Sequence, residues 1–400
     1  MTQLSRRSFF QSSLSGLGTA ALASTAGLSQ LASGAPMFSY ASLKQLGPLR
    51  RPDALGLRLP TGVASREIAK ATARVKLSNG QRSNYRWHVF PDGGACFPTE
   101  DGGWVYTSNS EINFFGGVGA LRFNRRGDII DAYPILRQTS RNCAGGPTPW
   151  GTWLSCEEVS KGYVFECDIY GRKQAVRCDG LGAFKHEAVA IDPELGHAYL
   201  TEDEKDGLLY RYTPNTIESN GVMDFNDGIL EAAVVERDGS VTWANIGDPT
   251  PGLFSRDTRE QPAEATRFNG GEGIWYHEGD VFFTTKGDNR VWKFDTTNNQ
   301  MSIIYDLATS PKPILKGVDN VVVSSDGHVL VAEDGGSMQI VVLGPYGDIY
   351  PLVQVEGQDF SEITGPAINQ HGDKIYFSSQ RGGSKRLGIT YELTGAFVNS

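Results

Sequence analysis

The feature that most constrains the fold of this 400-residue chain is a recurring strand-turn-strand grammar. Short β-rich runs return at Trp104 to Thr107, Thr152 to Ser155, Ala198 to Thr201, Val281 to Thr285, Val329 to Ala332 and Lys374 to Ser378. Their starts lie about 45–50 residues apart, with one longer gap across 215–270, which matches the period of a four-stranded propeller blade. Turns such as Ser325-Asp-Gly-His328 precede several runs, and second strands such as Val164 to Glu166 and Gln339 to Leu343 follow. Helical periodicity is scarce, and 48 Gly with 19 Pro fit a turn-dense all-β chain. The reading is an all-β, decorated six-bladed β-propeller occupying 36–400 as one domain. A β-sandwich or two smaller β domains would also supply short strands, but not this period. Residues 36 to about 80 are expected to wrap outside or add a closing strand, and 215–270 to form a decorated blade or lid. The six runs are taken as the innermost strands.

Ser5-Arg6-Arg7-Ser8-Phe9-Phe10 reads as a twin-arginine export signal, with a weakly apolar run from Leu14 to Leu31 and small residues at Ser33-Gly34-Ala35 before Pro36. Residues 1–35 are therefore expected to be a signal peptide, the twin-arginine machinery a partner, and the destination periplasmic or secreted. The run holds too many Ser, Thr and Gly to span a bilayer, so no stable membrane insertion is expected. The formal charge is −9. Removing 1–35, with two Arg and no Asp, Glu or Lys, gives −9 − 2 = −11. So acidic a chain argues against nucleic acid as a partner. The mature protein is taken as a monomer. Five cysteines leave one over if the rest pair, and Cys167 with Cys178 could close a hairpin.

Candidate chemistry sits at the ends of the repeats. Cys156, Glu157 and Glu158 close the second run, a soft sulfur beside hard carboxylates. That donor set is unlike structural zinc and suits a transition metal sharing ligands with a hard ion. Glu111 closes the first run, Glu202 to Glu204 the third, and Glu333 and Asp334 the fifth. Glu272, Glu187, Asp319 and Glu362 precede inner strands. Acids recurring at blade ends can converge on one mouth of a propeller channel, where they would need cations. His186, beside Glu187, is the histidine placed to orient a ligand. No Ser nucleophile of the G-x-S-x-G type stands out. Gly116 to Gly119 and Gly145-Gly146 lack the P-loop lysine and read as turns.

Thr148-Pro-Trp-Gly-Thr-Trp-Leu-Ser-Cys-Glu-Glu158 closely resembles the T-P-W-G-T-W-L-x-C-E-E signature of the PhoX family of bacterial alkaline phosphatases. Phe184-Lys-His-Glu-Ala188, Asp319-Asn320 with Ala332-Glu-Asp-Gly335, and Glu362-Ile-Thr-Gly365 resemble further family stretches in the same order. The resemblance implies a six-bladed propeller whose site holds ferric ions (Fe3+) bridged by the Cys, with calcium (Ca2+), and hydrolyses phosphate monoesters. Carried over, it implies Cys156 as the iron bridge and Glu187, Glu272, Asp319, Asp334 and Glu362 as ligands, with Glu157, Glu158 and Glu111 as further members. The family's R-P-E-G stretch is Gly270-Gly271-Glu272-Gly273 here, so its phosphate-gripping Arg is absent, and Arg267 is the nearby substitute. Two alternatives stay open. Asp319 to Asp334 also resembles six-bladed calcium-dependent lactonases of the gluconolactonase type, and a non-catalytic metal-binding propeller would carry the same acids.

Overall fold

The computed structural model describes residues 43–252 and 254–398, so the export signal lies outside the described residues. Those residues belong to one compact unit. They fold as a six-bladed β-propeller, with helical structure limited to single 3-10 turns such as Thr258–Glu260. Blade 1 runs Cys96–Pro98, Trp104–Ser110, Gly116–Phe123 and Ile129–Thr139. Blade 2 runs Asn142–Pro147, Thr152–Glu157, Val164–Asp168 and Val176–Arg177. Blade 3 has five strands, His186–Asp192, His197–Glu202, Leu209–Pro214, Gly228–Val235 and Val241–Asn245. Blade 4 runs Gly271–His277, Asp280–Thr285, Arg290–Asp295 and Gln300–Asp306. Blade 5 runs Val318–Val323, Val329–Glu333, Gln339–Leu343 and Ile349–Val355, with Leu57–Arg58 added at its outer edge.

Blade 6 contains Ile363–Ile368, Lys374–Ser379 and Ile389–Thr394 from the C-terminal end of the chain. Its fourth strand is Ala64–Lys70, paired antiparallel from Ala64 opposite Thr394 to Lys70 opposite Ile389. The N-terminal segment thus supplies the closing strand, leaving no open seam between first and last blades. The 215–270 region supplies the outer two strands of blade 3 and then a long loop.

The recurring runs turn out to be the second strand of each blade, one position further from the axis than the sequence pattern implied. The reason is packing. Second strands are sandwiched between blades, as Val329–Glu333 is along its whole length, so they carry the strong apolar signal. Apolar layers fill the blade interfaces: Val105, Val118 and Trp153 between blades 1 and 2, Leu200 and Tyr210 between 2 and 3, and Phe377 and Tyr391 between 5 and 6. The innermost strands crowd the axis and need small residues. A Cβ on Gly273 would lie 2.5 Å from Val321 N, and one on Gly93 2.6 Å from the Ala144 Cα. Hence Asn142-Cys-Ala-Gly-Gly-Pro147 forms an inner strand that looks like a turn in sequence, and Gly116 to Gly119 likewise begin a strand rather than a turn.

All five cysteines are free thiols. Cys167 packs into the layer between blades 1 and 2 and Cys178 into that between blades 2 and 3. They lie on opposite faces of blade 2, which rules out the hairpin bridge.

Candidate metal centre

The innermost strands of blades 2 to 5 begin at the same mouth of the channel, and the second residue of each carries the chemistry. Cys143, Glu187, Glu272 and Asp319 occupy that position in blades 2 to 5. Glu362 directly precedes the inner strand of blade 6. In blades 3, 4 and 5 the pairing of inner with second strand shifts register between His186 and Val189, Gly271 and Ile274, and Val318 and Val321. A bulge inserts an unpaired residue and re-aims its side chain. Here it falls on Glu187, Glu272 and Asp319.

Among the described residues three groups of ligand atoms, each within 4.8 Å of one another, follow: Cys143 with Glu158 and Glu187, Glu187 with Glu272 and Asp319, and Asp319 with Asp334 and Glu362. They share Glu187 and Asp319, so they form one chain of donors around the mouth. Second strands end among these groups with alternating charge. Glu111 Oε1 accepts from Arg141 Nη2 at 2.7 Å, and Arg141 also reaches Glu158 at 3.0 Å. Lys185 lies 2.9 Å from Glu158 and 2.6 Å from Asp203. Lys286 lies 3.0 Å from both Glu272 and Asp334. Arg381 stands 3.8 Å from Glu362 and 4.0 Å from Glu111. Asp92, buried before the inner strand of blade 1, accepts from Gln380 Nε2 at 2.5 Å.

Burial dominates the electrostatics. It pushes the Glu187 carboxyl well up, reinforced by Glu272, Glu158, Asp319 and Asp92. Glu272 is raised in the same way, against the pull of Lys286. Asp319 and Glu158 rise to about 7 and Glu362 to about 9, burial being the first cause in each. The Cys143 thiol is pushed up by burial and by Asp92, Glu187, Glu158 and Glu111. Burial pulls Lys286 down, but Glu272, Asp319 and Asp334 outweigh it and hold the ammonium above its ordinary value. Glu187 is 1% exposed, yet its Oε1 has no hydrogen-bond partner among the described residues. A buried, partnerless carboxylate oxygen facing further carboxylates is the environment a multivalent cation relieves. The donors are oxygens plus one sulfur, which accommodates hard cations and, at Cys143, a softer transition metal.

Several sequence-predicted residues sit elsewhere. The Cys156 side chain is fully buried in the apolar layer between blades 2 and 3, with Leu154, Val164 and Tyr210. Cys143, thirteen residues earlier on the inner strand, is the thiol among the acids. Glu157 Oε1 accepts from Ser140 N at 2.9 Å and Oε2 from Tyr163 N at 3.2 Å, fastening two loops. His186 Nε2 pairs with the Gly182 carbonyl at 3.0 Å, the ring packs tilted against Phe184, and burial lowers its pKa to about 3. Arg267 is exposed and donates to the Arg259 and Asp206 carbonyls at 2.5 and 3.4 Å, so the cations over the acids are Arg141, Lys185, Lys286 and Arg381. Asp92, Arg141, Lys185, Lys286, Arg381 and Cys143 were not anticipated.

The family profile described as "Alkaline phosphatase PhoX" matches residues 59–163 and 159–305. Among solved structures, Pseudomonas fluorescens PhoX in complex with vanadate, a transition state analogue, superposes with TM-score 0.70 at 16% identity, covering 88% of this chain and 97% of that one. A structural genomics protein of unknown function from Bacteroides thetaiotaomicron superposes with TM-score 0.51 at 10% identity, covering 87% and 84%. No curated protein sequence matches this chain.

Proposed function

Because this chain belongs to the PhoX alkaline phosphatase family, we propose that it is an exported, metal-dependent hydrolase of phosphate monoesters working at the carboxylate mouth. The observation that carries the reading is the run of three donor groups sharing Glu187 and Asp319, with a single thiol at one end. Cys143, Glu158 and Glu187 would hold iron, and the all-oxygen groups ending at Asp334 and Glu362 would hold calcium. Such ions, when bound, neutralise a phosphate and lower the pKa of a bound water.

The chain's own residues do the rest. Arg141, Lys185, Lys286 and Arg381 each bridge two acids. Each is shared between two acids at the mouth and would offer its remaining donors to phosphate oxygens, which a guanidinium binds in bidentate fashion and an ammonium as a point charge. This answers the missing arginine at Gly270 without recourse to Arg267. Inner strands in close backbone approach at Gly93, Gly273 and Gly365 narrow the channel beneath the mouth. Export follows from Arg6-Arg7 and the apolar run behind them.

The test is elemental analysis of protein purified through its export route, followed by hydrolysis of p-nitrophenyl phosphate and its inhibition by vanadate. Iron with calcium, and vanadate-sensitive turnover, are expected. Calcium alone with turnover of lactones would sink the proposal in favour of a lactonase, and calcium with no turnover would leave a metal-binding propeller.

A further inference from the structure

Two adjacent phenyls stand open on the mouth side of blade 1. Phe114 is 79% and Phe115 80% exposed. They occupy the turn 111–115 between the second and third strands of blade 1. The turn begins at Glu111, which accepts from Arg141 and, at 2.9 Å, from Gln380. It is pinned to the neighbouring connector: Phe114 N donates to Ser140 Oγ at 3.1 Å and Arg141 N to the Ile112 carbonyl at 3.0 Å. Behind it, Gly116 is pressed so close to blade 2 that a Cβ would lie 2.6 Å from Asn142 Oδ1. Phe114 has φ +62°, a left-handed backbone that is costly for a bulky residue and persists only where the surroundings impose it. The backbone of the turn is therefore held in place, with both rings exposed on the same turn as a rim carboxylate. Across Glu111, whose N–H donates to the Phe90 carbonyl at 3.0 Å, Phe90 lies beneath Arg381, 5.0 Å from its guanidinium, and continues the apolar rim.

We propose that Phe114 and Phe115 form an aromatic shelf that takes the organic group of the phosphate ester, so that aryl and other flat apolar esters are favoured over small hydrophilic ones. The inference rests on the phosphatase reading of the mouth. A phosphoryl group gripped by the basic side chains of the mouth directs its ester oxygen outward, toward the rim where the shelf stands. Offset or edge-to-face packing of a substrate ring on these phenyls supplies selectivity that the charged floor cannot. An anionic bilayer is the weaker occupant, because the shelf borders an acid-rich mouth on a chain of net charge −9.

The experiment measures calorimetric binding of phenylphosphonate and methylphosphonate to the metal-loaded protein and to a Phe114→Ala/Phe115→Ala variant. A Phe114→Tyr/Phe115→Tyr variant and thermal melts guard against misfolding. Wild type should bind phenylphosphonate more tightly. The alanine variant should lose roughly three- to tenfold in that affinity, the span of one aromatic pair, with methylphosphonate unchanged and the tyrosine variant near wild type. Equal binding of both ligands by wild type, or equal loss of both in the variant, overturns the shelf and leaves the phosphatase reading standing. Binding of neither ligand overturns both. Loss of binding to phosphatidylglycerol vesicles in the alanine variant, with phosphonate affinities unchanged, assigns the pair to a bilayer and overturns the shelf.

Discussion

Replacing Asn109 tests whether Cys143 is held where the structure puts it. Asn109 is fully buried on the second strand of blade 1 and reaches across to blade 2. Its Oδ1 accepts from Trp153 Nε1 at 2.9 Å and from Ser155 Oγ at 3.1 Å. Its Nδ2 donates to the Cys143 and Ala144 carbonyls at 3.3 and 2.7 Å. In Asn109→Ala, Cys143 O keeps Gly93 N at 2.9 Å, and Ser155 Oγ keeps Asn142 Nδ2 at 2.9 Å. The Trp153 indole N–H and the Ala144 carbonyl lose the partner Asn109 provides. A buried polar group left unsatisfied costs about 1–3 kcal/mol, so the pair should cost about 3 kcal/mol. For a chain of this size that lowers Tm by roughly 4 °C. Urea and thermal unfolding of chelated protein give the stability, and elemental analysis gives the second readout. Iron retention should fall more than calcium retention, since the Cys143 end of the donor chain is the one released. A loss under about 1 kcal/mol would refute the hydrogen-bond accounting. The expected loss with unchanged iron retention would refute Asn109 as a positioning residue for Cys143.

Cys143→Ser should strip iron while keeping calcium, and Cys156→Ser should leave both metals in place and cost only core stability; the reverse pattern in elemental analysis would restore Cys156 as the ligand. Gly273→Ala should destabilise by about 3 kcal/mol or more, because its Cβ would meet the Val321 and Asn320 backbone at 2.5 and 2.7 Å; near-wild-type unfolding would mean the blades can part there. Glu202 is buried against Tyr210 and Arg259, and burial raises its pKa to about 7 from 4.5. A raised folded pKa means its contribution to stability is complete below about 4.5 and is lost as pH climbs through about 7, by at most about 3 kcal/mol. Unfolding between pH 5 and 8 should therefore be flatter in Glu202→Gln, and identical slopes would count against the burial argument.

The period of the second strands was legible because those strands lie between two apolar layers and carry a short run of large apolar residues. The inner strands were hidden by the same packing: with glycines at 145, 146 and 273 set by backbone contact, they lose the side chains that announce a strand. That single displacement explains the thiol. Cys156 follows Trp153 and Leu154 on a conspicuous strand, whereas Cys143 lies in a stretch of Asn, Ala, Gly and Pro. Glu187, Glu272, Asp319 and Glu362 were legible as acids beside strand starts. Their convergence was legible only through the repeat and the family resemblance.

The sequence by itself determined the number of blades, the closing role available to the N-terminal segment, and the acidic chemistry at one end of the repeats. The blades and their terminal acids depend on local pattern and recur along the chain. Tertiary structure alone decided which side chains share the mouth. Radial position within a blade and a bulge of one residue set whether a side chain faces the channel or the layer between blades. That choice put Cys143 among the acids and Cys156 in the core, and brought Arg141, Lys185, Lys286 and Arg381 over the carboxylates. Long-range blade packing makes the choice, and no local stretch of sequence encodes it.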